Sequence, residues 1–216
     1  MKTYYYSGWF NESLPERYLE SLLNDITDRK SLVLVWGCWG KDELIDFVKD
    51  SYLKPSGIIF EEYHLVDNRI AREEGQRLIR EASVLIILAG NTEPQAEFFK
   101  EYELAAPIKE TNANVIMSFS AGAKNVSLKW IAAKSLGYEV EATVIYGGLG
   151  LNDFCYVPYF TLDMGELVEN DLLPLSQEID IYATTPESFI RVKDDEVTTF
   201  GDVYLISDSK INKRSF

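Results

Sequence analysis

One histidine, His64, occurs in the 216 residues of this chain. Imidazole chemistry has a single residue to draw on, and a metal centre built from several histidines is excluded. Cysteine is nearly as scarce: Cys38 and Cys155 supply neither a disulfide framework nor a four-ligand zinc site, and each reads as a small buried hydrophobe. Positive charge falls short too, with 21 Lys and Arg against 35 Asp and Glu, a formal net charge of −14 scattered along the chain. Without a basic stripe there is nothing to neutralise phosphates, so neither nucleic acid nor an anionic membrane surface is an expected partner. No apolar run approaches the ~20 residues of a membrane-crossing helix. The opening Met1-Lys2-Thr3-Tyr4-Tyr5-Tyr6 has neither the apolar centre nor the cleavage site of a secretory leader, so a cytoplasmic location is expected. The sequons Asn11-Glu12-Ser13 and Asn125-Val126-Ser127 are then chance matches.

What is present is a core-building composition, 46% hydrophobic, without repeats or low-complexity linkers, which fits one domain over 1–216. The first two-thirds alternates apolar runs with amphipathic stretches, the pattern of a parallel sheet covered on both faces. Strands are predicted at 3–6, 32–36 and 58–60 and before Gly90 and Ser120. Ser13-Leu14-Pro15-Glu16 reads as a capping box opening a helix with Tyr18, Leu19, Leu22, Leu23 and Ile26 at helical spacing. Further helices are predicted over 41–54, 70–81 and 123–134. From Tyr138 the pattern shortens to alternating strands at 140–146, 156–159, 179–183, 189–192, 197–200 and 204–206, which suits antiparallel ribbons. The polar, basic stretch 210–215 is expected to fray. The fold class expected is α/β: a doubly wound, mostly parallel sheet with helices on both faces and antiparallel strands at its C-terminal edge.

Two motifs carry chemistry. Asn114 to Phe119 is an apolar run that ends in Ser120-Ala121-Gly122-Ala123, the pattern of a nucleophile elbow, in which a strand delivers a serine to a tight turn before a helix. Taken alone, Ser-Ala-Gly-Ala reads equally well as a helix cap. Thirty residues earlier, Val84-Leu85-Ile86-Ile87-Leu88 runs into Ala89-Gly90-Asn91-Thr92, again strand, tight turn and helix. The N–H groups of Gly90 and Ala121 are candidates for an oxyanion hole. Trp36-Gly37-Cys38-Trp39-Gly40 ends the second strand at the rim where doubly wound folds bind ligands, which makes Trp36, Trp39 and Asn91 candidate pocket residues. Indoles closing the core under a loop would read the same way.

Ala-Gly-Asn-Thr, an apolar strand and Ser-Ala-Gly-Ala together resemble the peptidase E and cyanophycinase family of serine peptidases. Thr3 to Ser7, Leu32 to Trp36, Gly147-Gly148-Leu149-Gly150-Leu151 and the strands around Ile179 to Ile206 extend the likeness over most of the chain. Ala89 and Ser118 stand where that family usually has glycine. The wider fold resembles that of class I glutamine amidotransferases, whose elbow carries cysteine; Ser120 in that place argues against ammonia-releasing chemistry.

The resemblance implies a Ser-His-acid triad, with the histidine in a Pro-His-Phe-like segment; neither a metal nor a cofactor is expected. This chain reads Val157-Pro158-Tyr159-Phe160, so Tyr159 stands where the base belongs. A phenol titrates near ~10, and acting as a base near neutrality requires roughly 4 kcal/mol of environmental help. Lys124 or Lys129, just beyond Ser120, allows a Ser-Tyr-Lys arrangement in which a cation lowers the phenol pKa. His64 is the other candidate base, at the end of a strand among Glu61, Glu62 and Tyr63. No acidic partner is placed, because 125–135 contains no Asp or Glu. Three readings follow: a serine-type peptidase acting on short or aspartyl-containing peptides, a catalytically silent relative holding a small carboxylate or peptide, and an interaction protein that keeps the fold. The expected partner is a small peptide or carboxylate, with a homo-oligomer left open.

Overall fold

The computed structural model describes residues 2–37 and 43–214. The first half of the chain supplies β1 (Thr3–Ser7), β2 (Ser31–Val35), β3 (Glu62–Val66), β4 (Val84–Ile87) and β5 (Val115–Phe119). Between them lie α1 (Glu16–Asp25), α2 (Glu43–Phe47), α3 (Arg72–Glu81), α4 (Thr92–Glu101) and α5 (Ala105–Glu110), and α6 (Ala121–Val126) follows β5. The second half adds β6 (Lys129–Ala132), β7 (Val144–Gly147), β8 (Cys155–Pro158), β9 (Ile181–Thr184), β10 (Phe189–Lys193), β11 (Glu196–Phe200), β12 (Val203–Ser207) and β13 (Lys210–Arg214).

Seven strands form one sheet in the order β11-β10-β1-β5-β4-β2-β3. Its five early strands are parallel, while β10 and β11 add an antiparallel edge. Because side chains alternate along a strand, neighbours serve opposite faces. Tyr5, Leu32, Leu34, Ile86 and Met117 pack with Leu22 of α1 and with Tyr52 and Ile58. Tyr6, Val33, Val35, Leu85, Ile87 and Ile116 face the other way, toward α3 to α6. Such strands, buried on both sides, read as continuous apolar runs, as Val84 to Leu88 does.

The antiparallel region departs from expectation. Only β10 and β11 extend the first sheet; the rest form a second sheet of six strands, β13-β12-β9-β8-β6-β7. One face of that sheet, with Tyr156 and Val203, joins the core under α4 and α6, and the other, with Cys155, Val157 and Ile181, is covered by Leu167, Val168 and Leu172. The helix expected over 123–134 is correspondingly short. It ends at Val126, where the Ser127 hydroxyl donates to the carbonyls of Lys124 and Lys129, and the chain re-enters as β6. A serine that bonds the backbone locally competes with helix continuation, and Trp130 and Ile131 favour the pleated alternative.

Three smaller differences separate the structure from the sequence pattern. The strand predicted at 58–60 lies at β3 instead. Ile58 and Phe60 are buried in the approach loop, where Phe60 N–H donates to the Tyr63 hydroxyl. The capping box does not form: Ser13 is exposed and Pro15 precedes α1 without a side-chain cap. The stretch expected to fray is β13, paired antiparallel with β12 from Lys210 to Arg214. Its lysines and arginine mark it as a guarded sheet edge. Among the described residues, no helix is long and apolar enough to cross a membrane.

Candidate active site

The C-terminal ends of the parallel strands meet where β5 turns into α6. Ser120 is the one residue between them, with φ 49° and ψ −108°. For a residue with a Cβ this is sparsely populated backbone, costing on the order of 1–3 kcal/mol unless the surroundings impose it. Here they do. Ser120 N–H donates to the Ser7 carbonyl at the end of β1 (2.8 Å), its own carbonyl accepts from Lys124 N–H (3.0 Å), and the Ser118 hydroxyl ties β5 to the Tyr5 carbonyl (2.7 Å). The Ser120 hydroxyl makes no capping bond to the helix, so the helix-cap alternative gains no support.

Gly122 sets how closely α6 approaches β4. A Cβ there would lie 2.5 Å from the Ile87 carbonyl oxygen and 2.8 Å from that of Leu88. Helix propensity alone favours Gly→Ala by ~1 kcal/mol. The collision is with backbone and reverses the sign, so Gly122→Ala is expected to destabilise by about 1–2 kcal/mol net. Denaturant melts check this; an unchanged or raised midpoint refutes the close packing.

Ser120 opens into a cavity of about 630 Å³ whose lining includes Gly90, Asn91, Thr92, Lys124, Tyr138 and Tyr159. Gly90 and Asn91 form the turn between β4 and α4, so both sequence motifs face one space. Among the described residues, neither Gly90 N–H nor Ala121 N–H has a backbone acceptor outside regular helix and strand bonding. Trp36 does not line this cavity. Its indole N–H donates to the Ala89 carbonyl (2.9 Å), which ties the loop after β2 to the turn carrying Gly90. Trp39 lies outside the described residues, as does Cys38.

Tyr159 follows β8, is 37% exposed, and adopts φ 59°. Its phenolic oxygen accepts a 2.6 Å hydrogen bond from Trp9 N–H. The ring lies so close to Gly8 that a Cβ there would sit 2.6 Å from Tyr159 Cε1. Tyr159 thus shares the cavity with Ser120 while its oxygen is held by the loop after β1.

His64 is elsewhere. It sits mid-strand in β3, opposite Val33, in the row that continues through Leu85 to Ile116. Three strand spacings, ~14 Å, separate β3 from β5, and the imidazole Nε2 lies 3.2 Å from Glu62. The structure does not bring His64 to Ser120. The sequence expectation placed His64 at a strand end, and the register moves it away from the rim.

Sequence reasoning missed one constellation in the cavity. Lys124 Nζ donates to the Tyr138 hydroxyl (2.9 Å) and lies 4.9 Å from the centre of that ring, and the Tyr138 oxygen is 2.8 Å from Thr92 Oγ1. No local pattern flags Tyr138; only the fold carries it to α6. Cys155 is buried in the second sheet, and desolvation pushes its thiol up to about 12, which leaves it inert as a nucleophile. Among the described residues, no group of three or more His, Cys, Asp or Glu side chains is placed to hold a metal ion.

Two sheets flanked by helices, with the serine turn at the strand ends, make this the mixed α/β fold found in peptidase structures. The crystal structure of a peptidase from an acI-B1 Actinobacterium matches with a TM-score of 0.67 at 14% identity, covering 100% of this chain and 94% of that one. A Listeria monocytogenes EGD-e protein provisionally named peptidase E matches with a TM-score of 0.62 at 18% identity, covering 92% of this chain and 98% of that one. At such identities the likeness is one of fold. No protein-family model matches the chain, and no curated protein sequence matches it.

Proposed function

We propose that the chain is a serine-type hydrolase of the peptidase E kind, acting on short or aspartyl-containing peptides. One observation carries the reading: Ser120 is held at φ 49° between strand and helix, facing the same cavity as the Gly90 turn. In this reading Ser120 Oγ attacks the peptide carbonyl, and the N–H groups of Gly90 and Ala121 receive the developing oxyanion. Trp36 supports the Gly90 turn from behind, and Asn91 lines the pocket. The fold shared with two peptidase structures supports the class of chemistry.

A second reading draws on a different observation. The one histidine of the chain lies on β3, away from the cavity, and removal of a triad base leaves only the residual catalysis of binding and the oxyanion hole. That favours a relative that holds a small carboxylate or peptide without turning it over. The two readings separate in one experiment, in which wild type and Ser120→Ala are incubated with a panel of aspartyl dipeptides while free amine release and binding heat are followed. Ser120-dependent release supports the hydrolase. Binding by both proteins with release by neither overturns it in favour of the silent relative.

A further inference from the structure

Lys124 is a half-buried cation one helical turn beyond Ser120, and among the described residues it has no carboxylate within ion-pair distance. Side chains on a helix lean toward its N-terminus, so a residue at i+4 covers the position at i. Lys124 and Ser120 line the same cavity, in keeping with that geometry. What holds Lys124 is a chain of two hydroxyls, Tyr138 at 2.9 Å and, beyond it, Thr92 at 2.8 Å. An N–H donor is present in both charge states of Lys124. As an ammonium it donates to Tyr138, which donates to Thr92. As a neutral amine one of its N–H groups keeps that same bond, and its single lone pair is left for the Ser120 proton. Both charge states of Lys124 are therefore satisfied without moving a heavy atom, the property required of a group that takes up and returns a proton.

We propose that Lys124, oriented by Tyr138 and Thr92, accepts the Ser120 proton in place of the absent histidine. The proposal rests on the serine-hydrolase reading above. As the bond from Ser120 Oγ to the carbonyl carbon forms, the carbonyl π pair moves onto oxygen and the hydroxyl proton passes to the neutral Lys124 amine. As the carbon–nitrogen bond breaks, the ammonium gives that proton to the leaving amine and the Nζ lone pair is restored. Lys124 is the catalytic group; Tyr138 and Thr92 position it. Tyr159, whose oxygen is bonded by Trp9 N–H, is left to shape the wall.

An alkyl fluorophosphonate tests this without knowledge of the natural substrate. Its reaction joins Ser120 Oγ to phosphorus and expels fluoride, with the serine proton passing to the base. Labelling of Ser120 is followed by intact mass across a pH series for the full chain. Wild type is expected to label with a rate that rises with pH. Lys124→Met is expected to label at least about 100-fold more slowly, and so is Lys124→Arg, which keeps the cation but cannot release a proton. Tyr138→Phe should still label, with its pH profile displaced, an effect that a merely structural role would not produce. Thermal unfolding verifies that each variant is folded, and Lys124→Arg serves if Lys124→Met is not. If wild type labels and Lys124→Arg labels at the same rate, the proposal alone is overturned. If Ser120 in wild type is not labelled at any pH, the hydrolase reading falls and takes this assignment with it.

Discussion

Arg191→Met is expected to cost about 2–3 kcal/mol of folding stability, because it removes two charge-assisted hydrogen bonds from a buried carboxylate and leaves only Lys193 and Tyr5 to hold it. Asp25, whose side chain is 1% exposed, sits at the C-terminal end of α1, where a negative charge also opposes the helix dipole. It is held by Arg191 through two bonds of 2.6 and 2.7 Å, by Lys193 at 3.0 Å and by the Tyr5 hydroxyl at 2.6 Å. Burial pushes this carboxyl up, but the bonds from Arg191, Tyr5 and Lys193 outweigh burial and bring it from 3.8 to about 2. A carboxyl depressed in the folded state contributes stability that is fully present above its unfolded value, near pH 4, and is lost as pH falls toward 2. The amount at stake is on the order of 2 kcal/mol. Equilibrium denaturation between pH 2 and 7 measures both effects. Arg191→Met should melt far earlier at pH 7 and lose most of the acid-dependent decline seen in wild type. A variant within 1 kcal/mol of wild type would show that the cluster behaves as a surface ion pair. The network joins α1 to β10, so it locks the antiparallel edge of the main sheet to the helix beneath it.

The second large effect sits at Ser120 and has opposite signs in stability and activity. Ser120→Gly removes a Cβ from backbone at φ 49°, ψ −108°, which only glycine adopts freely. Relief of ~1–3 kcal/mol, less the ~1 kcal/mol that glycine costs through the unfolded chain, predicts a variant more stable by about 1 kcal/mol. Any serine-dependent hydrolysis should fall by at least about 10⁴-fold in Ser120→Gly and Ser120→Ala alike. Ser120→Ala keeps the strain and should match wild type in stability. Calorimetry on the three proteins, paired with the dipeptide assay, checks both halves. If glycine gives no gain over alanine, the turn is not strained and the reading built on it weakens.

Val84 to Leu88 and Val115 to Phe119 announced themselves as buried parallel strands by unbroken apolar character, and small residues after each marked the turns that hold Gly90 and Ser120. The stretch from Lys129 to Ala132 was not legible as a strand, because Lys-Trp-Ile-Ala continues a helical pattern as readily as a pleated one. What decided it was the Ser127 hydroxyl engaging two carbonyls and the presence of β7 and β8 to pair with. The basic tail reads as disordered by composition, yet β12 offers it a complete partner at Lys210 to Arg214.

The sequence by itself determined that apolar strands would form a parallel, two-faced core, with the third of them set a few residues too early, and that a small-residue turn would present a serine at their C-terminal rim. Both follow from local pattern, since apolar runs specify burial and tight turns specify small residues. It also determined that no histidine follows the serine turn. Only the tertiary structure decided which side chains surround that serine. Register in the sheet carried His64 to a distant strand, β8 delivered Tyr159 to the cavity wall, and the loop after β6 brought Tyr138 against Lys124. Distances between residues far apart in the chain are set by strand order and packing, which no local spacing encodes.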